Sequence, residues 1–88
     1  MILLSFFFQL FFLFYTTVGD TIQMSAANEL YERGWRFNKA FGHWVARLRN
    51  VNPDVRQKTF EKGVYQFFNP TTWQRESKDM TLYYSELA

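Results

Sequence analysis

The chain contains no cysteine. Disulfides and cysteine-ligated metal sites are therefore excluded. A secreted remainder of about 70 residues would have to hold together without the cross-links on which small exported domains usually rely. Charge is also missing from the front: all ten Lys and Arg and all eight Asp and Glu follow Gly19. A secretory leader opens on Lys or Arg, and here only the α-amino group stands in that place. The single histidine, His43, has no Cys or Ser/Asp constellation that would make a triad. Gly19, Gly34, Gly42 and Gly63 are isolated, so there is no glycine-rich phosphate loop. The carboxylates are scattered and offer no close pair for acid–base work. Neither an enzyme nor a cofactor is expected.

What the chain does have is aromatic. Its 88 residues, one domain at most, are 48% hydrophobic and 22% Phe, Trp or Tyr, which excludes a disordered charged tail. Six of the eleven phenylalanines precede Gly19. Net charge is +2 but uneven, with −3 over residues 1–32, +6 over 33–62 and −1 over 63–88. An apolar front and a basic centre suggest two different contact surfaces.

The run Ile2–Val18 admits two readings. As a leader it has an apolar centre and a poor cleavage site at Thr17-Val18-Gly19. As a membrane span it would reach only about 25 Å against a hydrocarbon core of roughly 30 Å. The alternative is a helix covered by protein. Phe7, Phe11 and Phe14 share one face, Phe8, Phe12 and Tyr15 the next, and a helix apolar on nearly every face is expected to be buried all round.

A second helix is expected from Asp20 to Gly34. Asp20 is a good N-cap, Gln23 completes a capping-box-like start, and Gly34 supplies a left-handed stop. Ile22, Ala26 and Leu30 form its inner stripe, widened by Ala27 and Tyr31, with Gln23, Asn28, Glu29, Glu32 and Arg33 outside. From Trp35 the period becomes 2. A hairpin is predicted with its turn at Lys39-Ala40-Phe41-Gly42, with Trp44, Ala46 and Leu48 alternating with Val45, Arg47 and Arg49. Residues 50–54 read as a loop. A third strand runs from about Lys58 to Phe68, broken by a bulge or bend at Lys62-Gly63. A turn at 69–72 ends on Trp73, a polar stretch covers Gln74–Asp79, and a last strand covers Met80–Tyr84. The expected class is α+β: N-terminal helices packed on a small, strongly bent antiparallel sheet or open Sm- or SH3-like barrel. The expected division is a Phe-rich helix over 1–18 and a helix plus barrel over 19–88.

An ordered series of short motifs then stands out. It runs from Leu13-Phe14-Tyr15 and Gly19-Asp20 through Ala26-Ala27, Glu29-Leu30 and Trp35-Arg36-Phe37. It continues with Trp44, Arg47, Thr59-Phe60-Glu61-Lys62-Gly63, Tyr65-Gln66-Phe67-Phe68 and Trp73, and closes on Leu82-Tyr83-Tyr84 and Glu86-Leu87. From Phe11 to Leu87 the chain resembles the Not box, the C-terminal domain of the negative-on-TATA-less subunits of the CCR–NOT deadenylase complex. The sixteen residues between Trp44 and Glu61 and the Gly-Asp helix opening resemble subunit two more than subunits three or five. Trp35, Phe37, Gly63, Tyr65, Phe67 and Trp73 carry the fold signature. The resemblance implies pairing with the Not box of subunit three or five and docking of that pair on the large scaffold subunit. It implies a non-enzymatic role in mRNA deadenylation, translational repression and transcription regulation, in cytoplasm and nucleus, and a front segment inside the domain rather than in a membrane. Residues 1–8 have no counterpart in the resemblance, the earlier helices of the family are missing, and Asn69 stands where the family often has Asp.

Two surfaces follow as expectations. Phe7, Phe11, Phe14, Tyr15, Trp44 and Phe68 are the candidate partner interface, since a barrel this small cannot enclose every large side chain. Arg36, Lys39, Arg47, Arg49, Arg56, Lys58 and Lys62 could form a basic face contacting RNA phosphates beside stacking aromatics. The alternatives are a small secreted or membrane-anchored protein, and a stand-alone RNA-binding module.

Overall fold

The computed structural model describes residues 6–88. The chain divides into two compact units, Met1–Gly34 and Trp35–Ala88, and its class is α+β. The second helix falls in the same unit as the first.

The first unit is a helical hairpin of α1, Phe6–Thr16, and α2, Thr21–Glu32, which pack against each other. The expected start of α1 at Ile2 lies outside the described residues. Thr16 and Thr17 turn their hydroxyls onto the carbonyls of Phe12 and Leu13, at 2.6 and 2.5 Å, and the helix ends there. Asp20 caps α2 as its composition predicts, accepting the Ile22 amide at 2.9 Å. Gly34, at φ +90°, donates to the Tyr31 carbonyl and closes it. Gln23 departs from expectation. Instead of facing solvent it is half-buried, accepts the Gly19 amide and donates to the Phe14 carbonyl, both at 3.0 Å, tying the two helices together. Ile22 is 46% exposed, so the inner stripe of α2 is Ala26 and Leu30, flanked by Gln23, Ala27 and Tyr31.

The second unit is an open five-stranded antiparallel sheet. Its strands are β1 Arg36–Asn38, β2 His43–Arg47, β3 Val55–Arg56, β4 Phe60–Asn69 and β5 Gln74–Tyr83, followed by a 3₁₀ turn at Tyr84–Glu86. β4 is the spine. One edge pairs with β5 along its whole length, and the other pairs first with β3 and then with β2, which in turn carries β1. The outer side of β1 takes a single bridge, Asn38 to Leu87, from the C-terminal segment. The sheet is therefore open rather than a completed barrel.

Three sequence expectations change here. The polar stretch Gln74–Asp79 is the first half of β5, and Val55–Arg56 forms a short strand of its own. The β4–β5 register runs without interruption through Gly63, opposite Met80, so there is no bulge. The glycine is needed for another reason: a Cβ there would sit 3.1 Å from the Pro53 Cα and 3.2 Å from the Asp54 amide, because the loop backbone passes directly over it.

Both sides of the sheet's centre are apolar. Val45, Tyr65, Phe67 and Leu82 form one buried cluster, with Met80 and Leu87 against it. On the opposite face the register sets Phe37 against Trp44, their rings 5.3 Å apart, and Phe68 meets Trp73 edge-on at 4.8 Å. Trp44, Val45 and Ala46 are consequently all buried, where alternation had predicted only every second one. Burying a residue of this kind stabilises by roughly 1.5–3 kcal/mol, which is how so small a sheet holds without cross-links.

Candidate interaction surface

The distinctive surface in the first unit is the outward side of α1. Leu10 and Phe11 are buried, with Phe7 and Phe14 half-buried beside them, and these four follow the i, i+3, i+4, i+7 stripe of one helical face. The other side carries Phe6, Phe12 and Leu13, exposed by 48%, 53% and 36%. Gln9 and Thr16 lie on that side too, and no charged residue occurs anywhere in the helix. Within the chain, α1 is thus covered on one side only. The Arg33 guanidinium, paired with Glu29, lies 4.5 Å above the Phe6 ring. Val18 and Met24, exposed by 78% and 67%, add further apolar surface within the same unit.

The six residues expected at the interface separate. Phe11, Trp44 and Phe68 are completely buried within the chain. Phe7, Phe14 and Tyr15 are half-buried. Burial pushes the Tyr15 hydroxyl up to about 12, which keeps it a neutral phenol. The accessible residues Phe6, Phe12 and Leu13 were missed. Gln9 and Thr16, seven residues apart, were the available signal for the outward side.

The basic residues do not form one stripe. Strand register places Arg36, Arg47 and Arg56 on one face and Lys62 on the other, with Lys39 and Lys58 in connections and Arg49 beyond β2. Arg47 is committed internally. It grips the buried Glu61 carboxylate with two bonds of 3.0 and 2.9 Å, to which Tyr65 and Tyr84 add hydroxyl donors at 2.8 and 3.2 Å. Burial alone would raise the Glu61 pKa, but these four donors outweigh it and hold the carboxyl below its usual range. The Arg47–Glu61–Tyr65–Tyr84 cluster is a brace between β2, β4 and the chain's end.

His43 is clamped between the Phe41 ring, stacked at 5.6 Å, and the Phe67 ring at 4.9 Å. Burial lowers its pKa, its own backbone carbonyl opposes this, and the Lys78 charge lowers it further. A cavity of about 200 Å³ beside it is lined by Asn38, Phe41, His43, Lys78, Asp79, Met80 and Thr81. Among the described residues no cluster of His, Asp or Glu could hold a metal, and no helix is long and apolar enough to cross a membrane.

Comparison with known proteins points to one family. The family model for the NOT2/NOT3/NOT5 C-terminal domain matches residues 6–87, so residues 6–8, for which no counterpart had been expected, fall inside the match. General negative regulator of transcription subunit 2 of Schizosaccharomyces pombe is 42% identical over 78 residues, covering 89% of this chain and 26% of that protein. The same-named subunit of Saccharomyces cerevisiae is 35% identical over 79 residues, covering 89% of this chain and 41% of that protein. Subunit 3 of S. pombe is 34% identical over 80 residues, covering 89% of this chain and 12% of that protein. The chain thus spans well under half the length of these relatives. With its helical hairpin, its five-stranded sheet and a match over nearly all of its described length, the chain belongs to the NOT2/NOT3/NOT5 C-terminal family.

Proposed function

We propose that this chain is a non-enzymatic interaction module of the CCR–NOT complex that pairs with a related Not box through the outward face of α1. The observation that carries this reading is the uncharged, apolar surface of Phe6, Phe12 and Leu13. Leaving such side chains in water forgoes roughly 1.5–3 kcal/mol each, and apolar clusters of this kind at a surface mark protein contacts. The relatives support the choice of mate, since both subunit 2 and subunit 3 proteins match the chain. The pair would then dock on the large scaffold subunit and support mRNA deadenylation, translational repression and transcription regulation, in cytoplasm and nucleus.

Titrating the chain with the C-terminal domain of a subunit 3 relative tests this reading. A one-to-one complex is expected, and Phe12→Gln with Leu13→Gln should weaken it by roughly a hundredfold, as loss of two buried anchors does. Unchanged affinity in that variant would overturn the proposed face. Lipid vesicles form the control arm: binding to neutral vesicles, with none to the protein domain, would assign the face to a membrane instead.

A further inference from the structure

The sheet has a second unsatisfied surface, unrelated to α1. β5 is ten residues long and pairs with β4 only; among the described residues no strand occupies its other edge. A long edge is normally blunted by a proline, a bulge, a short length or charged side chains, because its open amides and carbonyls template further pairing. β5 has a continuous register and no proline, so charge is what guards it against indiscriminate pairing. Those charges are ordered so that a matching strand could satisfy them. From Arg75 the strand reads Arg75-Glu76-Ser77-Lys78-Asp79, so each charge is answered by its opposite at the same distance across Ser77.

We propose that this edge pairs antiparallel with β5 of a second copy of the chain, about a twofold axis through Ser77. In that register Arg75 stands opposite Asp79 of the second copy, and Glu76 opposite its Lys78. Symmetry repeats both contacts, as an isologous interface requires. Directly opposed residues share a sheet face. Arg75, Ser77 and Asp79 lie on one face of β5 and Glu76 and Lys78 on the other, so charge matches on both faces at once. Neighbouring registers fail. A shift of one residue one way sets Glu76 against Asp79, and the other way sets Arg75 against Lys78. The residues are placed for the contact. Arg75, Ser77, Lys78 and Asp79 are exposed, and the Glu76 carboxylate is steadied by donors from Asn69 and Thr72 at 3.0 and 3.1 Å. Lys78 lies 4.9 Å over the Phe67 ring, which orients its ammonium on the same face as Glu76.

The absence of native cysteine makes the register directly measurable. Ser77→Cys, mild oxidation and non-reducing electrophoresis should give a covalent dimer, because that residue alone faces its own copy. Thr81→Cys, whose counterpart is Trp73, should give none. In sedimentation, Arg75→Asp should weaken self-association by roughly tenfold or more, since two attractive cross-strand pairs become repulsive. Arg75→Asp combined with Asp79→Arg should restore it, and raised salt should weaken the parent. All are made in the Phe12→Gln/Leu13→Gln background, so that association through α1 does not contribute and either proposal can fail without the other. Circular dichroism confirms that each variant is folded. A chain that stays monomeric at every concentration, a dimer indifferent to the charge swap, or equal cross-linking at positions 77 and 81 would overturn the proposal.

Discussion

In the helical unit, three large side chains of α1 stand 48%, 53% and 36% exposed; in the sheet unit, Trp35, Trp44, Tyr65 and Phe68 are each no more than 2% exposed. Both groups are aromatic or aliphatic, and hydropathy alone does not tell them apart. They differ in what the backbone does. A strand in the middle of a sheet has two faces, and β2 fills both, Val45 with Phe67 on one side and Trp44 with Phe37 on the other. A two-helix hairpin has one internal seam, so a helix apolar all round must leave one side for something else. The same residue type is therefore enclosed in one unit and left open to solvent in the other.

The sharpest way to break this comparison is to truncate on its two sides. Trp44→Ala and Phe68→Ala should each cost about 3–5 kcal/mol, which is close to the whole stability of many small domains. Both variants are expected to be unfolded or nearly so by thermal and chemical denaturation. A cooperative transition near that of the parent would show that the sheet interior is not where the fold is held.

A smaller effect is expected at Glu61. Glu61→Gln removes the charge that Arg47, Tyr65 and Tyr84 converge on and should cost about 1–3 kcal/mol. The sign of the pH dependence follows from the depressed pKa. Unfolded, the carboxyl titrates near ~4.3; folded, it titrates lower. Its contribution is fully present above the unfolded value and is lost as pH falls through the folded one. Denaturation midpoints measured from neutral to acid pH should therefore decline more steeply for the parent than for Glu61→Gln. Parallel curves would mean the brace contributes nothing.

How far these features were legible in the residues depends on what each element must bury. Both ends of α2 were readable, because Asp20 and Gly34 act through local backbone geometry, whereas its inner face shifted where Gln23 turned inward and Ile22 outward. β1 and β2 were readable because the turn after Asn38 is built locally: its side chain accepts the Ala40 and Phe41 amides at 2.9 and 3.2 Å. β5 was half-missed. Its first six residues lie on an edge strand with little to bury, so they carry no apolar alternation. β3 is two residues long and leaves no periodic trace. The accessible side of α1 was missed because Phe lies on both sides, leaving Gln9 and Thr16 as the only contrast. The Glu61 brace could not be read at all, since fourteen residues separate its Arg47 and Glu61 and only the β2–β4 pairing brings them together.

Gly63 sharpens the comparison within the sheet itself. With the register intact on either side, Gly63→Ala should leave the β4–β5 ladder in place and push the 50–54 loop outward. The expected cost is about 1–2 kcal/mol, the range for forcing a methyl into an occupied space. Amide exchange at Asp54, which donates to the Lys62 carbonyl at 2.8 Å, should accelerate while the amides of β5 stay protected. Equal acceleration in both would restore the bend that the sequence suggested.

The smallest effect on stability is expected on the outward side of α1, and it is the most informative. Phe12→Gln and Leu13→Gln keep good helix formers in place and remove side chains that are already about half in water. The fold should change by no more than about 0.5 kcal/mol, as exposed substitutions do, while solubility improves and affinity for a related domain falls. Phe11→Gln, one residue away, supplies the contrast: a fully buried ring is replaced by an amide without partners, and a loss of several kcal/mol is expected from the cavity and the unsatisfied group together. If adjacent positions 11 and 12 respond alike, α1 has no distinct inner and outer sides and the interaction surface dissolves. If they separate, one turn of an uncharged helix divides the work of folding from that of recognition.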